Sequence, residues 1–434
     1  MRVLGITETC DLGSLYLRLI DEGHEVKVSV SEPLAQGTMA GLVPRTESWE
    51  QELDWLRADS EGIIIFEAVG FGPLQDRLRA EGFNVIGGSA FGDRLENDRD
   101  YALGLLERHG LNSAPVQSFT NASDAIADLD QRPRRCVFKR CDSAGDTFVG
   151  GLSDGSDVAA MLRVRPPADG TSFILMDHVE GVETGVGAYF NGTGFMRPAC
   201  LDWEHKRFFA GDLGEQTGEM GTVATFSGAD RLFDAALKPL EPLFRQAGHV
   251  GWVNLNTIIN GEGVWPLEFT CRFGYPGFAV LEPLQGIGWG ELFKALVHRE
   301  LDAFPVREGF STCVVLTTPP MPMSRKEVDA PIGLPLIVGD VDPRHVHFGE
   351  VGASDSGLIT AGLYGWTAVV TGTGDTIAEA SAAAYANAAK VYTPNVRYRL
   401  DIGAALINGE LDMLSKWGWL NCTPSDRTAS QIVR

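Results

Sequence analysis

The chain reads as an α/β protein that opens with a Rossmann-like open parallel sheet and closes with a small α+β domain. Three features point there. Strand-length apolar runs alternate with amphipathic stretches over residues 1–95, a glycine-turned hairpin pattern fills 251–269, and residues 301–403 turn proline-rich and β-prone. At 434 residues the chain exceeds what one hydrophobic core supports, so several domains are expected.

In order, "RVLGIT" (2–7) reads as a strand, "LGSLYLRLIDEGH" as a helix and "EVKVSV" (25–30) as the next strand. "GIIIFEA" (62–68) is an apolar strand, "PLQDRLRAEG" a helix stopped by Gly82, and "FNVIGG" a further strand, which gives a parallel sheet with helices on both faces. "LENDRDYALGLLERHGL" (95–111) predicts one long amphipathic helix and opens a second domain over 96–300, with a lid at about 112–175. Strands follow at "RCVFKR" (135–140), "SFILMDHV" (172–179) and within "VGAYFNGTGFMRPACLDW" (186–203). "RLFDAALKPLEPLFRQAG" (231–248) predicts one helix with a glycine stop, and "GWVNLNTIINGEGVWPLEF" (251–269) two strands turned at "NGEG". The last domain carries an alanine-rich helix (377–391), and 404–434 reads as a polar tail, partly without packed structure.

Apolar content of 44% and charged content of 22% are those of an ordinary globular protein. The net charge of −22 argues against nucleic acid or an anionic membrane as partner. Seven cysteines without a C-x-x-C pair indicate neither a zinc site nor a disulfide framework, and suit a cytoplasmic location. The start, "MRVLGITETCDLG", runs into a strand pattern without the long apolar segment of a leader, and no apolar run approaches the ~20 residues of a membrane-spanning helix.

The chemistry gathers in three stretches. "PLEFTCRFGYPGF" (266–278) sets Glu268 into an apolar run with Arg272 four residues on. Buried there, both charges need partners, and a structural ion pair or a bound ligand would each serve. Alternate strand residues share a face, so Asn254 points with Asn256 and Glu268 with Thr270. Such oxygens suit Mg2+, and they equally suit the solvated face of a hairpin. "CVFKRCDSAGDTFVGG" (136–151) puts Lys139 at a strand end before a glycine-containing loop, fit for phosphate or for a snorkelling surface lysine, without Walker A spacing. "DWEHKRFFAGDLGEQTGEMGT" (202–222) gathers Glu204, His205, Lys206 and Arg207 ahead of a glycine-rich loop, which fits a polar substrate carrying both signs or a solvated turn. His205 is a candidate base or a partner of Glu204. His345 and His347 alternate without a visible third ligand, so no metal is expected there.

These segments, in this order over residues 1–403, resemble the ATP-grasp ligases, and within them the glycinamide ribonucleotide synthetase (phosphoribosylamine–glycine ligase) family. The family's D-H-K-R…T-G-G-M-G is matched by Glu204-His205-Lys206-Arg207 and Thr217-Gly218-Glu219-Met220-Gly221, its L-E-F-N-C-R-F-G-D-P-E by "LEFTCRFGYPG", and its C-terminal G-D-T-L-E-E-A…R-x-D-I-G by "GDTIAEA…RLDIG" (374–403). The resemblance implies an ATP-grasp fold and an ATP-dependent carboxylate–amine ligase using Mg2+ or Mn2+. ATP would phosphorylate the carboxylate, and an amine would attack the acyl phosphate. It implies nucleotide contacts from Arg99, Lys139, Met176, Asp177, Val179 and Glu183, and metal ligation by Glu268 with Asn256 and Thr270. It further implies catalytic roles for Arg272, Lys206 and His205, and substrate contacts from Glu204, Arg207, Thr217, Gly218, Met220 and Gly221. The partners implied are small carboxylates and amines, for a monomer or homodimer.

The departures concern the amine side. The family's G-S-G-G-R-E-H loop becomes "TETCDLGS" (7–14) with no basic residue, and its G-P-E-x-P-L becomes "EAVGFGPL" (67–74). Thr270 replaces a metal-binding Asn, the lid run has lost a Lys, and Tyr275 and Gly277 replace an acidic pair. The expected amine therefore differs from phosphoribosylamine. The alternatives are the purine-pathway ligase itself and a nucleotide-binding protein without catalysis.

Overall fold

The computed structural model describes residues 1–140 and 147–420. The loop expected after Lys139 (141–146) and the end of the expected tail (421–434) lie outside the described residues. Contacts divide the chain into two compact units. Met1–Gly110, Val182–Thr257 and the residues from Leu267 onward form the first; Leu111–Gly181 with Ile258–Pro266 form the second.

The first unit opens with β1 (Arg2–Thr7), β2 (Glu25–Val30), β3 (Ile63–Phe66) and β4 (Asn84–Ile86), a parallel sheet in the order β2-β1-β3-β4. β3 is buried throughout and β1 nearly so, which is why both read as continuous apolar runs. The helix Gly13–Asp21 packs Leu15, Tyr16 and Leu19 inward on the way to β2. Strand order reverses between β1 and β3, whose carboxyl ends are Thr7 and Phe66.

The second unit is an antiparallel sheet of β5 (Val116–Phe119), β6 (Cys136–Arg140), β7 (Thr147–Val149) and β8 (Phe173–Asp177) in the order β5-β8-β6-β7. Helices Ala122–Gln131 and Ser156–Val164 cover it through Phe119, Phe138, Phe173, Leu129 and Leu162.

The largest sheet is built from β9 (Val182–Asn191), β10 (Cys200–Glu204), β13 (Gly221–Thr225), β14 (Val250–Asn260), β15 (Gly263–Thr270) and β16 (Phe310–Thr317), with the hairpin β11 (Arg207–Phe209) and β12 (Leu213–Gln216) between β10 and β13. Its order is β15-β14-β9-β10-β13-β16, followed by Trp366–Gly374 and Val346–Phe348. The strands read as a separate C-terminal domain thus continue this sheet.

Three expectations change. The long helix at 95–111 is two helices, Ala90–Asn97 and Arg99–Arg108, broken at Asp98 (φ −105, ψ 82), whose carboxylate accepts from Tyr101 N at 3.0 Å and caps the second. The helix at 231–248 is split into Asp230–Ala236, Lys238–Leu240 and Glu241–Gln246, because Pro239 and Pro242 cannot donate to the ladder. The described part of the tail is helical over Leu406–Glu410 and Leu411–Lys416 and buries Leu406 and Leu414. Among the described residues, no helix is long and apolar enough to cross a membrane.

Candidate active site

One face of the largest sheet is polar, and its period is two. Cys200, Asp202 and Glu204 of β10, Trp252, Asn254 and Asn256 of β14, and Glu268 and Thr270 of β15 all line a single cavity of about 390 Å³ within the first unit. Glycines on β9 make the room. A Cβ at Gly185 would overlap Asp202 and Asn256, and one at Gly187 would overlap Trp252 and Asn254.

Lys206, just past β10, sits among three carboxylates. Its Nζ lies 2.5 Å from Glu268, 3.3 Å from Glu204 and 3.5 Å from Glu183. Burial works against the ammonium, but Glu204, Glu268 and Glu183 together outweigh it and hold the Lys206 pKa well above its usual value. Asn256 Nδ2 donates to Glu204 Oε2 at 2.8 Å and fixes that carboxylate. Arg272 faces the same cavity, with Nε 3.5 Å from Glu96, which also accepts from Cys271 N at 2.7 Å. Burial pushes the Glu96 pKa up, and Arg272 pulls it back. Arg99 opens its helix with Nε unpartnered; burial lowers its pKa and the Glu268 charge raises it.

Glu268 itself is not embedded. Its side chain is 52% exposed, because β15 is the edge strand of the sheet, and the ion pair of Arg272 is with Glu96. The cavity's oxygens surround a spot that already favours positive charge, so a hard divalent cation fits their chemistry. Among the described residues no set of three or more His, Cys, Asp or Glu forms a ready-made cage. An ion here would keep water or phosphate oxygens, the habit of Mg2+.

Of the loop positions expected to touch substrate, Glu204 and Gly218 line the cavity. Arg207 gives Nη1 to Gly214 O at 2.9 Å, Thr217 gives Oγ1 to Lys206 O at 2.7 Å, and Met220 is buried with Phe208 and Met321. Gly221 packs against Cys313 O and Ile402. These shape the loop. His205 is also a framework residue, off the cavity lining: Nε2 accepts from Gly403 N at 3.1 Å, and burial, then Arg399, lower its pKa to about 4. In the second unit Lys139 is half-buried on β6 opposite Ile174, and Met176 is buried on β8. Asp177 accepts from Arg134 Nε at 2.6 Å and, with Val179 and Trp265, lines a cavity of about 510 Å³.

The structure adds residues that the sequence reading passed over. Glu219, 8% exposed, lines the cavity with Oε1 unpartnered; its only signal in the sequence is a carboxylate where the resembled T-G-G-M-G has glycine. Asp202 also lines it with an unpartnered Oδ1, beside the unpartnered Oδ1 of Asn254, whose place on the polar face was expected. Asp11, Tyr275 and Trp366 complete that wall, the two rings stacked at 5.2 Å. Behind Asp11, Glu67 ties down the turn after β1, accepting from Thr7 Oγ1 (2.8 Å), Leu12 N (3.0 Å) and Tyr16 Oη (2.6 Å). Burial, with Asp11 nearby, pushes the Glu67 pKa up to about 7.

The family model "Phosphoribosylglycinamide synthetase, ATP-grasp (A) domain" matches residues 97–278. Phosphoribosylamine–glycine ligase of Neisseria meningitidis serogroup B is 26% identical over 367 residues, spanning 80% of this chain and 85% of that one. The crystal structure of phosphoribosylamine–glycine ligase from Thermotoga maritima superposes with a TM-score of 0.69 at 22% identity, covering 93% of this chain and 100% of that chain. The biotin carboxylase domain of the Hydrogenobacter thermophilus 2-oxoglutarate carboxylase, solved with MgADP and bicarbonate, superposes with a TM-score of 0.60 at 12% identity, covering 91% of each chain.

Proposed function

The chain is an ATP-grasp protein related to the phosphoribosylamine–glycine ligases, and on that premise we propose that it joins a small carboxylate to an amine at the expense of ATP, releasing ADP and phosphate. The observation that carries this reading is the convergence of Lys206, Arg272, Glu204, Glu268 and Asn256 on one cavity. Phosphoryl transfer asks a protein for positioning and charge neutralisation rather than covalent chemistry, and these residue types supply both.

Glu268, with Asn256 and Thr270, offers the hard oxygens for Mg2+ or Mn2+, and the ion they would hold neutralises nucleotide phosphate charge. Arg272 presents a guanidinium to the transferring phosphoryl group and the acyl phosphate, with Glu96 orienting it from behind. Lys206 is a second cation whose carboxylate partners hold it charged at any working pH. Arg99 and Glu183 are the proposed nucleotide contacts of the first unit. The five described cysteines, Cys10, Cys136, Cys200, Cys271 and Cys313, are all free thiols, which accords with a cytoplasmic location.

ADP release that requires both a carboxylate and an amine, measured across a panel with ATP and Mg2+, is the expected result. Nucleotide binding without turnover across that panel would replace this reading with a catalytically silent nucleotide-binding protein. The second reading, phosphoribosylamine–glycine ligation, is favoured by the 26% identity to an enzyme of that name, and turnover with phosphoribosylamine and glycine would establish it.

A further inference from the structure

The cavity as a whole is lined for the opposite charge to a sugar phosphate. Six carboxylates (Asp11, Glu96, Asp202, Glu204, Glu219, Glu268) and two basic side chains (Lys206, Arg272) line it, and both basic groups already have carboxylate partners. Among the described residues, Glu219 and Asp202 have no Lys or Arg in ion-pair contact, although they are 8% and 7% exposed. Each has an oxygen without a hydrogen-bond partner, as does the side-chain carbonyl of Asn254, and all three residues line the cavity. Burial pushes the pKa values of Asp202 and Glu219 well up, so without a counter-charge both favour the proton, and an incoming cation would draw them to the charged form.

Two places beside this wall could have held an anion, and the protein fills both itself. At the turn after β1 the Leu12 N–H goes to Glu67. At the loop before Trp366, the N–H groups of Leu363 (2.7 Å), Tyr364 (2.9 Å), Gly365 (2.5 Å) and Trp366 (3.2 Å) all point to the buried carboxylate of Glu350. Converging backbone N–H groups of this kind are what a phosphate needs. Meanwhile Tyr275 and Trp366, stacked on each other, line the same wall as Asp11 and Glu219.

Resting on the ligase reading above, we propose that the amine substrate is an unphosphorylated organic cation, whose ammonium or guanidinium group sits against Glu219 and Asp202 with its frame along Tyr275 and Trp366. A phosphorylated amine is disfavoured by the acidic lining, and the N–H groups of Leu12 and of Leu363, Tyr364, Gly365 and Trp366 are already taken by carboxylates.

The test is calorimetric titration without nucleotide, using agmatine, 1,4-diaminobutane and L-lysine against O-phosphoethanolamine and ribose 5-phosphate. At least one cation should bind and neither phosphate ester should. Glu219→Gln, nearly isosteric, should weaken the bound cation by about tenfold to a hundredfold, the range expected for losing a charged partner. Asp202→Asn provides the same measurement if Glu219→Gln does not fold. Binding of a phosphate ester, failure of all three cations, or unchanged cation affinity in the folded variant would overturn the proposal. Cation binding that persists while ADP release fails with every substrate pair would instead overturn the ligase reading, leaving a cation-binding site but no amine substrate.

Discussion

Two acidic regions of the same unit are built differently. Around Lys206, the carboxylates of Glu183, Glu204 and Glu268 share one ammonium. Around Glu219 and Asp202, the carboxyl groups are more deeply buried, burial pushes their pKa values well up, and they have no ion-paired Lys or Arg among the described residues. The first arrangement carries its own ammonium, which ties three carboxylates together and still leaves the spot favourable to a further positive ion. The second has no such ammonium, and a cationic ligand would supply it. A catalytic frame and a recognition wall can thus share one cavity and differ in whether the protein itself brings a cation to the carboxylates.

The largest expected effect tests the balanced region. Glu268→Ala should cut ATP-dependent turnover by about a hundredfold or more, as loss of a charge-positioning group does. It should leave the fold intact, because Glu268 is half exposed and Lys206 retains Glu204 and Glu183. Undiminished ADP release by the variant removes Glu268 from the proposed metal site. Next is Lys206→Met, which strands three carboxylates around an apolar side chain. A buried pair broken on one side costs roughly 3–5 kcal/mol and an exposed one under about 1, so about 2 kcal/mol in urea unfolding is expected for this mixed setting. A variant as stable as the parent would mean that the carboxylates do not depend on the ammonium.

The smallest effect concerns Glu67, behind the unbalanced wall. Its folded pKa of about 7 stands above the ordinary 4.5. Between those values the folded state keeps a proton that the unfolded chain has released. The contribution is therefore present below pH about 4.5 and fades as pH rises towards about 7. Glu67→Gln stays neutral and should flatten the fall of stability with pH by up to about 1.4 kcal/mol per pH unit, read from urea midpoints across that window. An unchanged slope would assign the proton to another group.

Much of the frame was legible locally. The alternation of Asn254 with Asn256 and of Glu268 with Thr270 follows from strand geometry, and both pairs do face one cavity. Helix boundaries were less legible, since Asp98 both breaks one helix and caps the next, a role settled by its dihedral angles and not by the amphipathic period. His205 looked chemical because it stands beside Lys206, yet its ring turns to Gly403, almost two hundred residues later in the chain. Glu219 looked like part of a flexible loop, and only burial among β10, β13 and Tyr275 made it consequential.

By itself, the sequence determined periods, turns and the presence of acid and base at strand ends, because backbone geometry imposes these within a few residues. The tertiary structure alone decided which charges meet. The order β15-β14-β9-β10-β13 brings Glu268, Asn256, Glu204 and Glu219 together from distant segments. That order is set by long-range burial, and a charge is balanced or left waiting according to what the other strands carry to it.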